Sequence, residues 1–212
     1  GIGDLNTHRD KNLPGDTSYR VEESTMPTLV GSDDINVITL TNKIAALQGL
    51  SNIGSTSNFS GRNNSAYIAG LAWYANTYDI RSDWAGKQTA ATFWVDVLEG
   101  QTLLGMSKNQ YALAAKYGGF RVPENFDPLN QTTALPEGWW HTNGDTLDPA
   151  NYNNAGTPSF LRPDNYFTAG QSDEIVNSIK QVFARIVARV NGSGAGLSSN
   201  SPKMVTGSKV FQ

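Results

Sequence analysis

The chain predicts an α/β fold in which a parallel sheet is flanked by helices, and three observations point there. Between Asn63 and Phe120 the hydrophobic period changes twice, from a helix-like segment (Ser65 to Ala75) to a strand-like one (Ala90 to Leu98) and back to a helix-like one (Asn109 to Tyr117). Helix, strand, helix in that order is the grammar of a parallel sheet rather than of a bundle or a sandwich. The strand-like run Ala90-Ala-Thr-Phe-Trp-Val-Asp-Val-Leu98 is apolar almost throughout, as in a strand covered on both faces. A second short strand, Asn165-Tyr-Phe-Thr168, leads into a strongly amphipathic helix, so the alternation repeats. Such sheets bind ligands at the carboxyl ends of their strands.

The elements follow in order. Gly1 to Asp4 reads as the tail of a strand, and residues 5–31 are polar and turn-rich. Asp33 and Asp34 precede Val37, Leu40, Ile44 and Leu47, spaced along one helical face, so a helix is expected over 34–48 with Gly49 as its stop. Residues 51–64 form a Gly/Ser/Asn loop. The helix over 65–78 is apolar around most of its circumference and is expected to be largely buried, or to pack a sheet on one side and another element on the other. Gly118-Gly119 is expected to close the 109–117 helix. Residues 120–164, with six prolines and the Trp139-Trp140 pair, lack periodicity and read as a long insertion. Ser172-Asp-Glu caps the last helix, whose stripe of Ile175, Ile179, Val182, Phe183, Ile186 and Val190 is expected to be core, with Lys180, Arg185 and Arg189 toward water.

Composition narrows the function. Only 17% of the 212 residues are charged, against roughly 25% in typical domains. The resulting neutral, hydrogen-bonding surface suits an extracellular or periplasmic setting. A net charge of -3 without a basic stripe argues against nucleic-acid binding. No apolar run reaches the roughly 20 residues needed to span a bilayer. Cysteine is absent, which excludes disulfides and thiolate chemistry.

Several blocks together resemble the PilY/PilC-type proteins of type IV pili: Gly1-Ile-Gly-Asp-Leu-Asn-Thr-His8 with Lys11-Asn-Leu-Pro-Gly15, Gly70-Leu-Ala-Trp-Tyr-Ala-Asn-Thr-Tyr-Asp-Ile-Arg81, Gly86-Lys-Gln-Thr89, Ala114-Ala-Lys-Tyr-Gly-Gly-Phe120 and Pro163-Asp-Asn-Tyr-Phe167. The resemblance implies a secreted pilus-tip protein with a von Willebrand factor A-like, Rossmann-type region followed by a β-propeller. Residues 1–191 would be the later part of that A-like domain, with insertions at 5–31 and 120–164. Residues 192–204 would be a Gly/Ser-rich linker and 205–212 the start of the next domain. The sheet would be incomplete, leaving an open edge and an apolar face that make the chain poorly soluble alone. The Asp-x-Ser-x-Ser motif that opens the metal site of A-type domains does not occur in these residues.

Candidate chemistry is sparse. The resemblance places Asp4 where A-like domains support Mg²⁺, while the residue alone reads as a turn aspartate bonding its own backbone. Asp4-x-Asn6-x-His8-x-Asp10 spaces oxygens as Ca²⁺ loops do, but has no central Gly and no closing Glu. Asn143-Gly-Asp145 with Asp148 and Asn151 is a second oxygen-rich run that reads equally as Asx turns. His8 and His141 are the only histidines, and neither a Gly-x-Ser-x-Gly elbow nor a phosphate-binding Gly-rich loop is present. Enzymatic activity is therefore not expected. Trp139 and Trp140, with Trp84, read either as interface or sugar-stacking residues or as cover for a small core. The expectation is non-enzymatic adhesion and pilus biogenesis through minor pilins, other pilus-tip proteins, or a host protein or glycan. A structural spacer and a diverged secreted hydrolase are the alternatives.

Overall fold

The computed structural model describes residues 35–56, 59–60, 65–98, 102–169 and 172–192 and the strands at 203–205 and 209–211. The chain divides into two compact units, Gly1–Ser178 and Ile179–Gln212. The first unit opens with helix α1, Val37–Gln48, which begins where Asn36 Oδ1 accepts the Thr39 N–H at 3.0 Å. Asn36 is thus the cap expected of Asp33 and Asp34, which lie outside the described residues. Gly49, at φ 72°, closes the helix in the left-handed conformation and donates its N–H to the Ala45 and Ala46 carbonyls. Val37, Ile44 and Leu47 are buried, as the spacing predicts.

Helix α2, Tyr67–Thr77, lies between α1 and α3, Gln110–Gly119. Its all-round apolarity is explained by a helix on each side rather than by a sheet. Small residues allow the approach: a Cβ on Gly70 would sit 2.5 Å from Thr41 Oγ1 of α1. The Gly118-Gly119 expectation is corrected here. Both glycines lie inside α3, and Phe120 is the cap. A Cβ on Gly118 would meet Ala72 Cβ at 2.5 Å, and one on Gly119 would strike the Asn165 side chain. They are glycines because α2 and the Asn165 side chain come too close for a further side chain. Trp73, Tyr117 and Phe120 fill the seam, Trp73 stacking on Phe120 at 5.7 Å.

Strand β1, Trp94–Asp96, pairs in parallel with β4, Tyr166–Thr168, with Trp94 opposite Tyr166, Val95 opposite Phe167 and Asp96 opposite Thr168. The expected parallel sheet is present, but the 90–98 strand shrinks to three ladder residues. Helix α3 packs on both strands, and Trp94 stacks on Tyr111 at 4.2 Å. The expectation of cover on both faces fails: Trp94, Val95 and Asp96 are half-buried and Val97 is 57% exposed. The parallel pair is two strands wide among the described residues, too narrow to bury a continuous apolar run.

Residues 120–164 hold short 3-10 turns at 137–139 and 149–152 and an antiparallel pair, β2 (Thr146–Leu147) with β3 (Phe160–Leu161). The segment folds back onto the helices, contributing Leu135 and Trp140 to the buried core and Phe126 and Trp139 to its margin.

Helix α4, Ser172–Gly192, forms where the capping signal places it. In the first unit Ser178 Oγ donates to the Thr168 carbonyl at 2.7 Å. The expectation that its stripe is core is corrected at Ile179, Phe183 and Ile186, which are exposed, Phe183 by 63%; Val182 is half-buried. Amphipathic spacing specifies a helix with one apolar side, not the surface that covers it. In the second unit, β5 (Lys203–Val205) and β6 (Lys209–Phe211) form an antiparallel hairpin.

Candidate functional site

The carboxyl end of the parallel pair is where an α/β sheet places its chemistry, and a polar cluster sits there. Asp96 ends β1 and turns the chain sharply: its Oδ1 accepts the Leu98 N–H at 3.0 Å, and Leu98 has φ 51°. Its Oδ2 accepts the Tyr166 hydroxyl at 2.5 Å, and that hydroxyl accepts Asn109 Nδ2 at 3.0 Å. Asn109 Oδ1 in turn caps α3 through the Tyr111 and Ala112 N–H groups. Burial, reinforced by the Asp96 carboxylate, holds the Tyr166 phenol well above its ordinary pKa. One carboxylate, one phenol and one amide thus tie β1, β4 and α3 together. The signal in the sequence was Asp96 itself, an acidic residue inside an apolar strand run.

The Trp139-Trp140 pair lies elsewhere. Trp140 is 9% exposed, with Lys116 Nζ 3.8 Å above its ring. Trp139 is half-buried and stacks parallel to Phe120 at 6.1 Å, edge-on to Phe126. Cover for a core is the reading these environments fit. Lys116 Nζ and the Tyr117 hydroxyl both donate to Gln48 Oε1 at 2.9 Å, joining α3 to α1. Burial pushes the Lys116 pKa down to about 8 and raises that of Tyr117.

The oxygen-rich run resolves into local structure. Asn143 Oδ1 accepts the Asp145 N–H and Asp148 Oδ1 accepts the Ala150 N–H, both Asx turns. Asp145 Oδ2 is held by Arg162 Nη2 at 2.7 Å, and Arg162 Nη1 donates to the Tyr166 carbonyl. Asp164 accepts the Thr142 N–H, the Thr142 hydroxyl and Asn143 Nδ2. His141 Nδ1 lies 2.9 Å from the Arg162 carbonyl. These contacts bind 141–145 to the approach to β4. Asp4 and His8 lie outside the described residues. Among the described residues no three His, Cys, Asp or Glu side chains form a metal-ligand group. No helix among them is long and apolar enough to cross a membrane.

Fold and site together define a mixed α/β protein that has, among the described residues, a small parallel sheet, four α-helices and a side-chain network joining β1, β4 and α3. The chain is 42% identical over 224 aligned residues to the type IV pilus biogenesis factor PilY1 homolog of Xylella fastidiosa, an alignment that covers all of this chain and 18% of that protein. Similarity of this extent supports a PilY1-type family for the chain. No family model matches it, and no solved structure matches it.

Proposed function

We propose that the chain is a non-enzymatic contact module in type IV pilus biogenesis and adhesion, working outside the cell at the pilus tip or bacterial surface. The whole-chain similarity to a pilus biogenesis factor carries the reading. The helix-flanked parallel pair β1–β4 supports a von Willebrand factor A-like frame, in which a rigid sheet presents loops to minor pilins or other tip proteins. A divalent cation at Asp4 belongs to this proposal through the resemblance alone; calorimetric titration of Mg²⁺ and Ca²⁺ into an Asp4→Ala variant and its parent tests it.

Co-sedimentation of the purified chain with isolated type IV pili tests the reading. Saturable binding is expected, and chain left in the supernatant at every pilus concentration would refute it. A second reading, a spacer that binds nothing, draws support from one observation: residues 120–164, read from the sequence as a long insertion, pack into the core through Leu135 and Trp140.

A further inference from the structure

We infer that residues 79–88, between α2 and β1, are a preformed docking loop whose anchor is Trp84 and whose partner is a protein surface with an uncharged apolar cleft. The inference rests on the pilus-contact reading and names the part of the chain that makes the contact. Every residue from Ile80 to Lys87 is exposed, and Trp84 is 59% exposed.

The loop is nonetheless held in one shape. At its neck the Ile80 N–H donates to the Gln88 carbonyl at 3.0 Å, and Asp79 Oδ1 accepts the N–H groups of both Arg81 and Gln88. Just beyond the neck, the Ala90 N–H donates to the Ala75 carbonyl of α2 at 2.7 Å. Within the loop the Trp84 N–H donates to the Arg81 carbonyl, Gln88 Nε2 donates to the Ala85 carbonyl, and Gly86 takes φ 81°.

The anchor is braced from one side. The Arg81 guanidinium sits 4.2 Å from the Trp84 ring centre, and Asp83 grips it with two bonds of 2.8 Å. That arrangement covers one face of the indole and fixes its angle, so less rotamer freedom is lost when a partner arrives. Trp and Arg are the residue types most enriched among interface hot spots. Ile80, also exposed, widens the apolar contact.

The chemistry of the partner follows from which groups are already engaged. Sugar recognition pairs a stacked ring with carboxylates that read hydroxyls. Here both Asp83 oxygens hold Arg81 and Asp79 Oδ1 holds two backbone N–H groups. The guanidinium charge is answered within the loop, so an acidic partner is not selected. The loop's charges balance, Asp79 and Asp83 against Arg81 and the exposed Lys87, and the apolar ring and aliphatic Ile80 side chain that it displays fit an uncharged cleft in a protein.

The test uses purified type IV pili in the co-sedimentation assay, with Trp84→Ala, Arg81→Lys and, as a control at another exposed apolar residue, Leu129→Ala. Trp84→Ala is expected to weaken binding at least tenfold, Arg81→Lys severalfold, and Leu129→Ala not at all, with unchanged unfolding midpoints. If the parent chain binds and Trp84→Ala binds equally well, the inference falls while the pilus reading stands. If the parent chain does not bind pili, both fall. Trp84-dependent binding to arrayed glycans instead of pili would overturn the protein partner.

Discussion

Gly118 of α3 faces Ala72 of α2 so closely that a β-carbon at 118 would lie 2.5 Å from the Ala72 methyl and 2.8 Å from Thr92 Oγ1. This contact sets the spacing of the two central helices and, through Thr92, whose N–H donates to the Gly118 carbonyl at 2.7 Å, the approach of the chain to β1.

A glycine inside a helix is ordinarily worth replacing, since alanine gains about 1 kcal/mol in helix propensity. At 118 the sign should reverse. Gly118→Ala is expected to destabilise the chain by about 1–3 kcal/mol through overpacking, and urea unfolding measures it. A gain in stability would show that the helices are not in this contact.

The two classes of tryptophan should separate cleanly. Trp140→Ala removes a buried ring and the surface on which Lys116 rests, and is expected to cost about 3–5 kcal/mol. Trp84→Ala is expected to stay within about 0.5 kcal/mol of the parent, as at an exposed position. Denaturant midpoints of both variants decide whether 139–140 is interior and 84 is displayed.

Lys116 gives the chain a pH signature. Its folded-state pKa of about 8 lies below the ordinary value of 10.5, because burial disfavours the ammonium. Between these values the unfolded chain binds more protons, so stability rises as pH climbs from 8 to 10.5 and is lost as pH falls through 8. The raised pKa values of Tyr117 and Tyr166 act oppositely, lowering stability as pH rises above about 10, so the rise should show between pH 8 and 10. Lys116→Met is expected to flatten this rise, and unfolding curves at half-unit pH steps test it.

Asp96 and Tyr166 hold the end of the parallel pair. Tyr166→Phe leaves the Asp96 carboxylate and Asn109 amide without the hydroxyl between them, at an expected cost of about 1–3 kcal/mol. Hydrogen exchange at the Trp94 N–H, which donates to the Asn165 carbonyl, should quicken accordingly.

The open stripe of α4 predicts self-association. Phe183→Glu places a charge among Ile179, Ile186 and Val187, all exposed residues of the second unit. Light scattering should show the parent chain associating at concentrations where the variant stays monomeric. A monomeric parent would contradict this.

Periodicity located the four α-helices among the described residues to within a few residues, because an apolar repeat of 3.6 is a local property of the chain. It also placed the two strands that pair in parallel. It misjudged what covers them. Val97 and Phe183 look like core in any window of sequence, yet their burial depends on surfaces that no local window contains. The Gly118-Gly119 pair reads as a helix stop because glycine serves both left-handed caps and close contacts, and only the position of Ala72 distinguishes the two. Of the candidate sites, Asn143, Asp145 and Asp148 were legible as Asx turns. The Asp96–Tyr166 bond joins residues 70 apart and was not. Trp84 was legible as a residue for an interface, a sugar or core cover; its brace by Arg81 and Asp83 required the loop.

The most direct test of the functional account is complementation in a bacterium that lacks its PilY1-type protein. The longer protein is supplied either intact or with the stretch matching this chain removed in frame, and surface pili are counted after export of both forms is verified. The account predicts that the shortened protein reaches the surface yet leaves cells with few or no pili. Piliation and adhesion equal to those of cells carrying the intact protein would contradict it.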